Sequence, residues 1–109
     1  MPTTYKVLGQ VAPSATTATT LDTVPSATQS VVSTIAVCNR GATSATYRIA
    51  VRPAGATLAN EHYIAYDSTV TANNSTMITI GITLAATDVI TVYASNANLS
   101  FNAFGSEIS

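Results

Sequence analysis

Charge is scarce in this chain. Its 109 residues carry four Lys and Arg and five Asp and Glu, 8% in all, for a net charge of −1; an ordinary soluble chain has about 25% charged residues. Four scattered cations cannot make the basic footprint that grips a phosphate backbone, so nucleic acid is not an expected partner. Apolar runs fall far short of the roughly 18 residues that cross a bilayer as a helix, and no membrane partner is expected. The single cysteine, Cys38, cannot found an intrachain disulfide framework. One histidine and one cysteine leave no familiar zinc set, and no Asp-x-Asp spacing offers a calcium loop, so no metal or other cofactor is expected. Tryptophan is absent.

What is present favours strands. Thr (19), Ala (18) and Ser (11) dominate, and Val, Ile and Thr together supply 37 residues. These three are β-branched, stiff at χ1 and suited to a pleated surface. Leu occurs only five times, and alanine sits among hydroxyl residues with no 3.6-residue period. A chain of this length buries about 60–68% of its unfolded surface, enough for one modest core and one domain over residues 1–109.

Eight strands can be drawn from the pattern: Tyr5–Val11, Thr19–Val24, Gln29–Cys38, Ser44–Arg52, Glu61–Val70, Thr76–Leu84, Val89–Ser95 and Leu99–Phe104. Pro25 stops the second, since it lacks a ladder donor. Asn39-Arg40-Gly41 reads as a turn. Ser44–Arg52 alternates most cleanly, with Ala45, Tyr47, Ile49 and Val51 on one face and Thr46, Arg48, Ala50 and Arg52 on the other. Along Thr76–Leu84, Ile78, Ile80, Ile82 and Leu84 are read as inward, and Gly81 marks a bulge or a close neighbouring backbone. The stretch Ala54–Asn60 has room for the only helical turn, and Gly105–Ser109 reads as a tail. The expected core is Val7, Val31, Ile35, Val37, Tyr47, Ile49, Val51, Ile78, Ile80, Ile82, Val92, Leu99 and Phe101. Short strands at 8–12-residue spacing predict an all-β fold: a single antiparallel β-sandwich, jelly-roll or Ig-like, of about eight strands.

The inventory of chemistry is thin. His62 stands between Glu61 and Tyr63, with Asp67 five residues on. A carboxylate-oriented base would look so, but no nucleophile has a nucleophile-type setting, and no enzyme is expected. Asp88 reads as a turn residue and Asp22 as a solvated one. Thr46, Arg48 and Arg52 share a strand face and are read as an interface to neighbouring subunits, because arginine is enriched at interfaces and two of only three arginines coincide here. Tyr63 and Tyr66 are read as core or interface aromatics, the other reading being a sugar platform. Cys38 is read as a buried small hydrophobe, with an interchain disulfide as the alternative. Sequons begin at Asn73, Asn74 and Asn98 in a chain rich in Asn, Ser and Thr.

So few charges leave a surface of hydroxyls, amides and methyls. Such a surface suits permanent assembly, where desolvating ions would be costly, and a homo-oligomer, with a trimer favoured, is expected. Start residues Met1–Lys6 lack the cationic and apolar pattern of a signal peptide, which fits synthesis in a cytoplasm.

Tyr5–Gln10 (YKVLGQ), Thr23-Val24-Pro25, Val32–Pro53 (VSTIAVCNRGATSATYRIAVRP), His62–Asp67 (HYIAYD), Leu84–Tyr93 (LAATDVITVY) and Leu99–Gly105 (LSFNAFG) are spread along nearly the whole chain. Together they resemble a family of small virion proteins of tailed bacteriophages, including cyanobacterial phages. The resemblance implies a β-sandwich module made in the host cytoplasm and located in the virion. It implies a capsid cement or decoration protein that binds phage coat protein or other virion proteins. The alternative is a neck, tail-fibre or baseplate accessory that touches host glycans. The shared motifs are structural and carry over no site residue.

Overall fold

A computed structural model describes residues 3–79 and 81–109 of the chain. Its strands are β1 (Thr3–Val11), β2 (Thr19–Thr23), β3 (Gln29–Asn39), β4 (Ala45–Arg52), β5 (Tyr63–Val70), β6 (Ser75–Ile78), β7 (Ile82–Leu84), β8 (Val89–Ala94) and β9 (Leu99–Ile108). Pairing is antiparallel and nested: β4 with β5, β3 with β6 and β7, β2 with β8, β1 with β9. The chain is one long hairpin closed at β4–β5 and rolled so that successive pairs alternate between two sheets. Pairing of β3 with β9 and of β4 with β8 completes them. The first sheet has the order β1-β9-β3-β6, with β7 further along β3; the second is β2-β8-β4-β5. With β6 and β7 counted as one interrupted strand, this is an eight-stranded jelly roll. An Ig-like order, four strands against three, is not the one formed.

The core lies between the sheets. Ile35, Val37, Ile49, Ile90, Val92, Leu99 and Phe101 are fully buried, and Tyr47 meets Phe101 edge to face with ring centroids 6.3 Å apart. Burying each such side chain contributes about 1.5–3 kcal/mol. Val51, Ile78 and Ile82 are partly buried against this cluster. Ile80, expected in the core, lies outside the described residues.

Bulges overturn two expected core positions. In β3 the register with β9 slips between Val32 and Thr34, so the inward set is Ser30 and Val32 before the slip and Ile35, Val37 and Asn39 after it. Val31 therefore faces outward and is half-buried, and Val32 takes its place inside. In β1 the register slips between Val7 and Gly9; Val7 is 45% exposed and Leu8 is the core residue. A slip of one residue exchanges the faces of a strand.

Other readings change for local reasons. Cys38 lies on the outer face between Ser75 and Ser100 and is half-buried, since Val37 and Asn39 hold the inward positions. Ala50, expected outside, is buried because the Pro53–His62 connection folds back over that end of the second sheet, where Thr91 and Val89 are covered too. That connection holds two short 3-10 turns, Pro53–Gly55 and Asn60–His62, so β5 begins at Tyr63. Gly105–Ile108 is no tail: it hydrogen-bonds β1 on one side and β3 on the other. The expected strand Thr76–Leu84 is two strands, and Gly81 between them has φ +54° with open space around it.

Asp22, expected in solvent, is buried. An irregular register in β2 turns both Leu21 and Asp22 inward. Burial, and then the charge of Glu107, push its carboxyl above the ordinary carboxylate range; Lys6 and the Thr23 backbone N–H act the other way. Its Oδ2 has no hydrogen-bond partner, while Lys6 Nζ reaches Glu107 Oε1 at 3.1 Å.

Candidate functional site

Two outer surfaces bear side chains that packing does not explain. The first is on the second sheet, where β4 lies between β8 and β5. Outward-facing Arg48 stands opposite Tyr93 of β8. On its other side β5 is irregular: Tyr47 pairs with Ser68, Ile49 with Ala65, and Ala50 with Tyr63. Two extra residues thus enter β5 within one short stretch. In a regular strand Tyr63 and Tyr66, three apart, would point to opposite faces. The bulges bring both onto the outer face, and bulges commonly re-aim side chains in this way.

Arg48 organises the group. Its Nε donates to Asp67 Oδ1 at 2.7 Å and its Nη2 to Asp67 Oδ2 at 3.3 Å. The guanidinium carbon lies 4.2 Å from the ring centre of Tyr66 and 4.4 Å from that of Tyr93. The guanidinium lies over two rings while its edge is forked by a carboxylate, a combination that arginine's planar, forked cation allows. The hydrogen bonds that Arg48 donates to Asp67, together with the carboxylate's charge, raise the arginine pKa further. Asp67 adopts φ +52°, and every other non-glycine residue described with positive φ sits in a turn rather than a strand. The fork to Arg48 holds this strained backbone in place.

Tyr63 packs against Tyr66 with ring centres 4.9 Å apart at 83°. With exposed Asn60 the two rings line a cleft of about 370 Å³. The turn before them is fixed by His62, whose Nδ1 accepts the Ala59 N–H at 3.0 Å. Nδ1 therefore carries no proton, and Nε2–H is the free donor. His62 and Asp67 are each bonded elsewhere and form no base–carboxylate pair with one another.

Of the residues singled out from sequence, Arg48, Tyr63 and Tyr66 meet here. Thr46 lies further along β4, its backbone N–H bonded to Ser95 Oγ at 2.9 Å. Arg52 turns back on its own chain, to Thr91 Oγ1 at 3.5 Å and the Gly55 carbonyl at 3.3 Å. Tyr93 and Asn60 were not singled out. Tyr93 was legible from alternation, as the outward neighbour of Val92; Asn60 depends on the path of a loop.

The second surface is the outer face of the first sheet. Tyr5 is 85% exposed, Val7 45% and Phe104 38%. With Lys6, Val31, Ser33, Gly105 and Ser106 they border a groove of about 520 Å³. Val7 and Phe104 are directly paired across β1 and β9, so the apolar strip is continuous. Among the described residues, no group of three or more His, Cys, Asp or Glu gathers to hold a metal ion.

No family model matches this chain, and no curated protein sequence matches it. Among solved structures it is similar to a chain in the structure of infectious bursal disease virus, Gx strain. The TM-score is 0.54 and the identity 13%, over 97% of this chain and 31% of the virus chain. The chain thus spans about a third of the length of the protein it matches, and what the two share is the fold.

Proposed function

We propose that this chain is a structural protein of a virus particle, and specifically a cement or decoration protein of a phage capsid that acts through protein–protein contacts. The observation that carries the reading is the apolar strip Tyr5–Val7–Phe104 on the outer face of the first sheet. Contiguous exposed apolar surface marks an interaction site. The match of nearly the whole sandwich to part of a virus chain supports the same reading.

The occupant of that strip is a second copy of the chain, in a homo-oligomer for which three copies is the favoured number. Its one cation, Lys6, is already paired with Glu107. A groove whose single charge is paired fits a partner of low charge, and a chain with four basic and five acidic residues supplies one. The coat or other virion proteins then bind the assembled ring. The β4 outer face chosen from sequence contributes less, because Arg48 and Arg52 are held by their own chain.

The test is the mass of the purified protein by analytical ultracentrifugation, alone and as Tyr5→Asp. The expected result is an oligomer for the parent and a monomer with an unchanged β-sheet spectrum for the variant. A strictly monomeric parent that never associates with phage particles ends the proposal.

A further inference from the structure

The geometry points to a binding site for a neutral saccharide on the outer face of the second sheet, built from Tyr63, Tyr66 and Asn60 and stiffened by Arg48, Asp67 and Tyr93. This inference does not depend on the particle-building role, which uses the opposite face of the sandwich. Three of the five tyrosines and two of the nine charged residues gather in this one place. Packing does not require it: Tyr66 is 57% exposed and belongs to no core cluster.

The arrangement is rigid before any ligand arrives. Tyr66 is held by the Arg48 guanidinium and by Tyr63, edge to face. Asp67 holds the guanidinium from a left-handed backbone position inside a strand. Little side-chain freedom remains to be lost on binding, which is what weak, small ligands need. A cleft of about 370 Å³ falls at the lower end of small-molecule sites, a scale suited to one or two sugar rings. A protein partner would call for a broader apolar area, such as the strip on the other sheet.

The ligand chemistry follows from what the groups still offer. Tyrosine rings stack on the C–H face of a pyranose, and their hydroxyls stay wet. Asn60 presents an exposed amide, with a donor and an acceptor for vicinal hydroxyls. The Arg48 charge is paired with Asp67, and its guanidinium lies over the rings of Tyr66 and Tyr93. No cation is left for an acidic sugar or a phosphate, and exposed Glu61 beside the site repels one. The ligand is therefore a neutral sugar.

The test is a nuclear magnetic resonance titration of the isotope-labelled, full-length protein. Its probes are methyl β-glucoside, methyl β-galactoside, their tetrasaccharides and methyl β-glucuronide. At least one neutral sugar should bind in the millimolar range, with shifts centred on Asn60, Tyr63 and Tyr66, and the glucuronide should bind more weakly. Tyr66→Ala should weaken binding about tenfold, Tyr66→Phe should retain it, and Arg52→Ala should leave it unchanged. If Tyr66→Ala loses its sheet structure, the site-resolved shifts of the parent decide. No binding of any neutral probe, shifts centred elsewhere, or a Tyr66→Ala protein that binds as well as the parent would overturn the proposal. A change of oligomeric mass in Tyr66→Ala without sugar binding in the parent would assign the patch to a protein contact instead.

Discussion

At the scale of single residues, Asp22 is a side chain whose burial opposes folding. A carboxyl held above its ordinary value, 3.8, binds its proton more tightly in the folded chain than in the unfolded one. Its contribution to stability is full below that ordinary value and is lost as pH rises through the folded-state pKa. At neutral pH the buried charge, with Oδ2 unpartnered, is a cost. Asp22→Asn should accordingly melt higher than the parent at pH 7, and the difference should shrink as the pH falls toward about 4. Thermal unfolding of the two proteins side by side isolates this group from the paired acids Asp67 and Glu107; a difference that grows on acidification would contradict it. Phe101, fully buried against Tyr47, carries stability in the ordinary way, and Phe101→Ala should cost about 3–5 kcal/mol by denaturant unfolding. Cys38, half-buried on an outer face, should react with a thiol reagent in the native protein more slowly than a free thiol does but without global unfolding.

At the scale of elements, strand identity was legible in the sequence and strand facing only in part. β4 alternates without a bulge up to its last residues, and Ala45, Tyr47 and Ile49 are inside as their spacing says. Where a bulge intervenes, periodicity gives the wrong face beyond it: Val31 for Val32, Val7 for Leu8. No short-range pattern announces these bulges, because they answer to the neighbouring strand. The tyrosine site has the same cause. Tyr63, Tyr66 and Arg48 stood out by rarity, but their meeting depends on two irregularities in β5 that only the pairing reveals. Glycine shows how far such local fits constrain the chain. A Cβ on Gly105 would stand 1.9 Å from the Val31 carbonyl oxygen, a backbone atom that cannot step aside without disturbing the β3 bulge. Gly105→Ala should therefore cost at or above the usual 1–3 kcal/mol (roughly) of overpacking. Gly81 has φ +54° in open space, so Gly81→Ala meets only the left-handed backbone penalty of about 1 kcal/mol. Equal losses at the two positions in denaturant unfolding would mean that β9 is not pressed against β3 as described.

At the scale of the whole molecule, the two sheets divide the work. Tyr5, Val7 and Phe104 lie outside β1 and β9; Tyr63, Tyr66 and Arg48 lie outside β4 and β5. A sandwich joined to its neighbouring copies through its first sheet leaves the second open, so the proposed oligomer contact and the proposed sugar site do not compete for surface. Anchoring makes a quantitative demand. A protein that binds the assembled particle and not its dispersed subunits stabilises the particle by mass action, by about 2.7 kcal/mol per site when its free concentration is a hundred times Kd. The apparent melting temperature of particles lacking the protein should then rise with the concentration of added chain and level off only slowly, as the logarithm. Tyr5→Asp, altered on the sheet that joins the copies into the ring, should lose this effect; Tyr66→Ala, altered on the opposite sheet, should keep it. Equal loss in both variants would mean that assembly through the first sheet is not what sets particle binding, and a melting temperature indifferent to the unaltered protein would remove the cement role altogether.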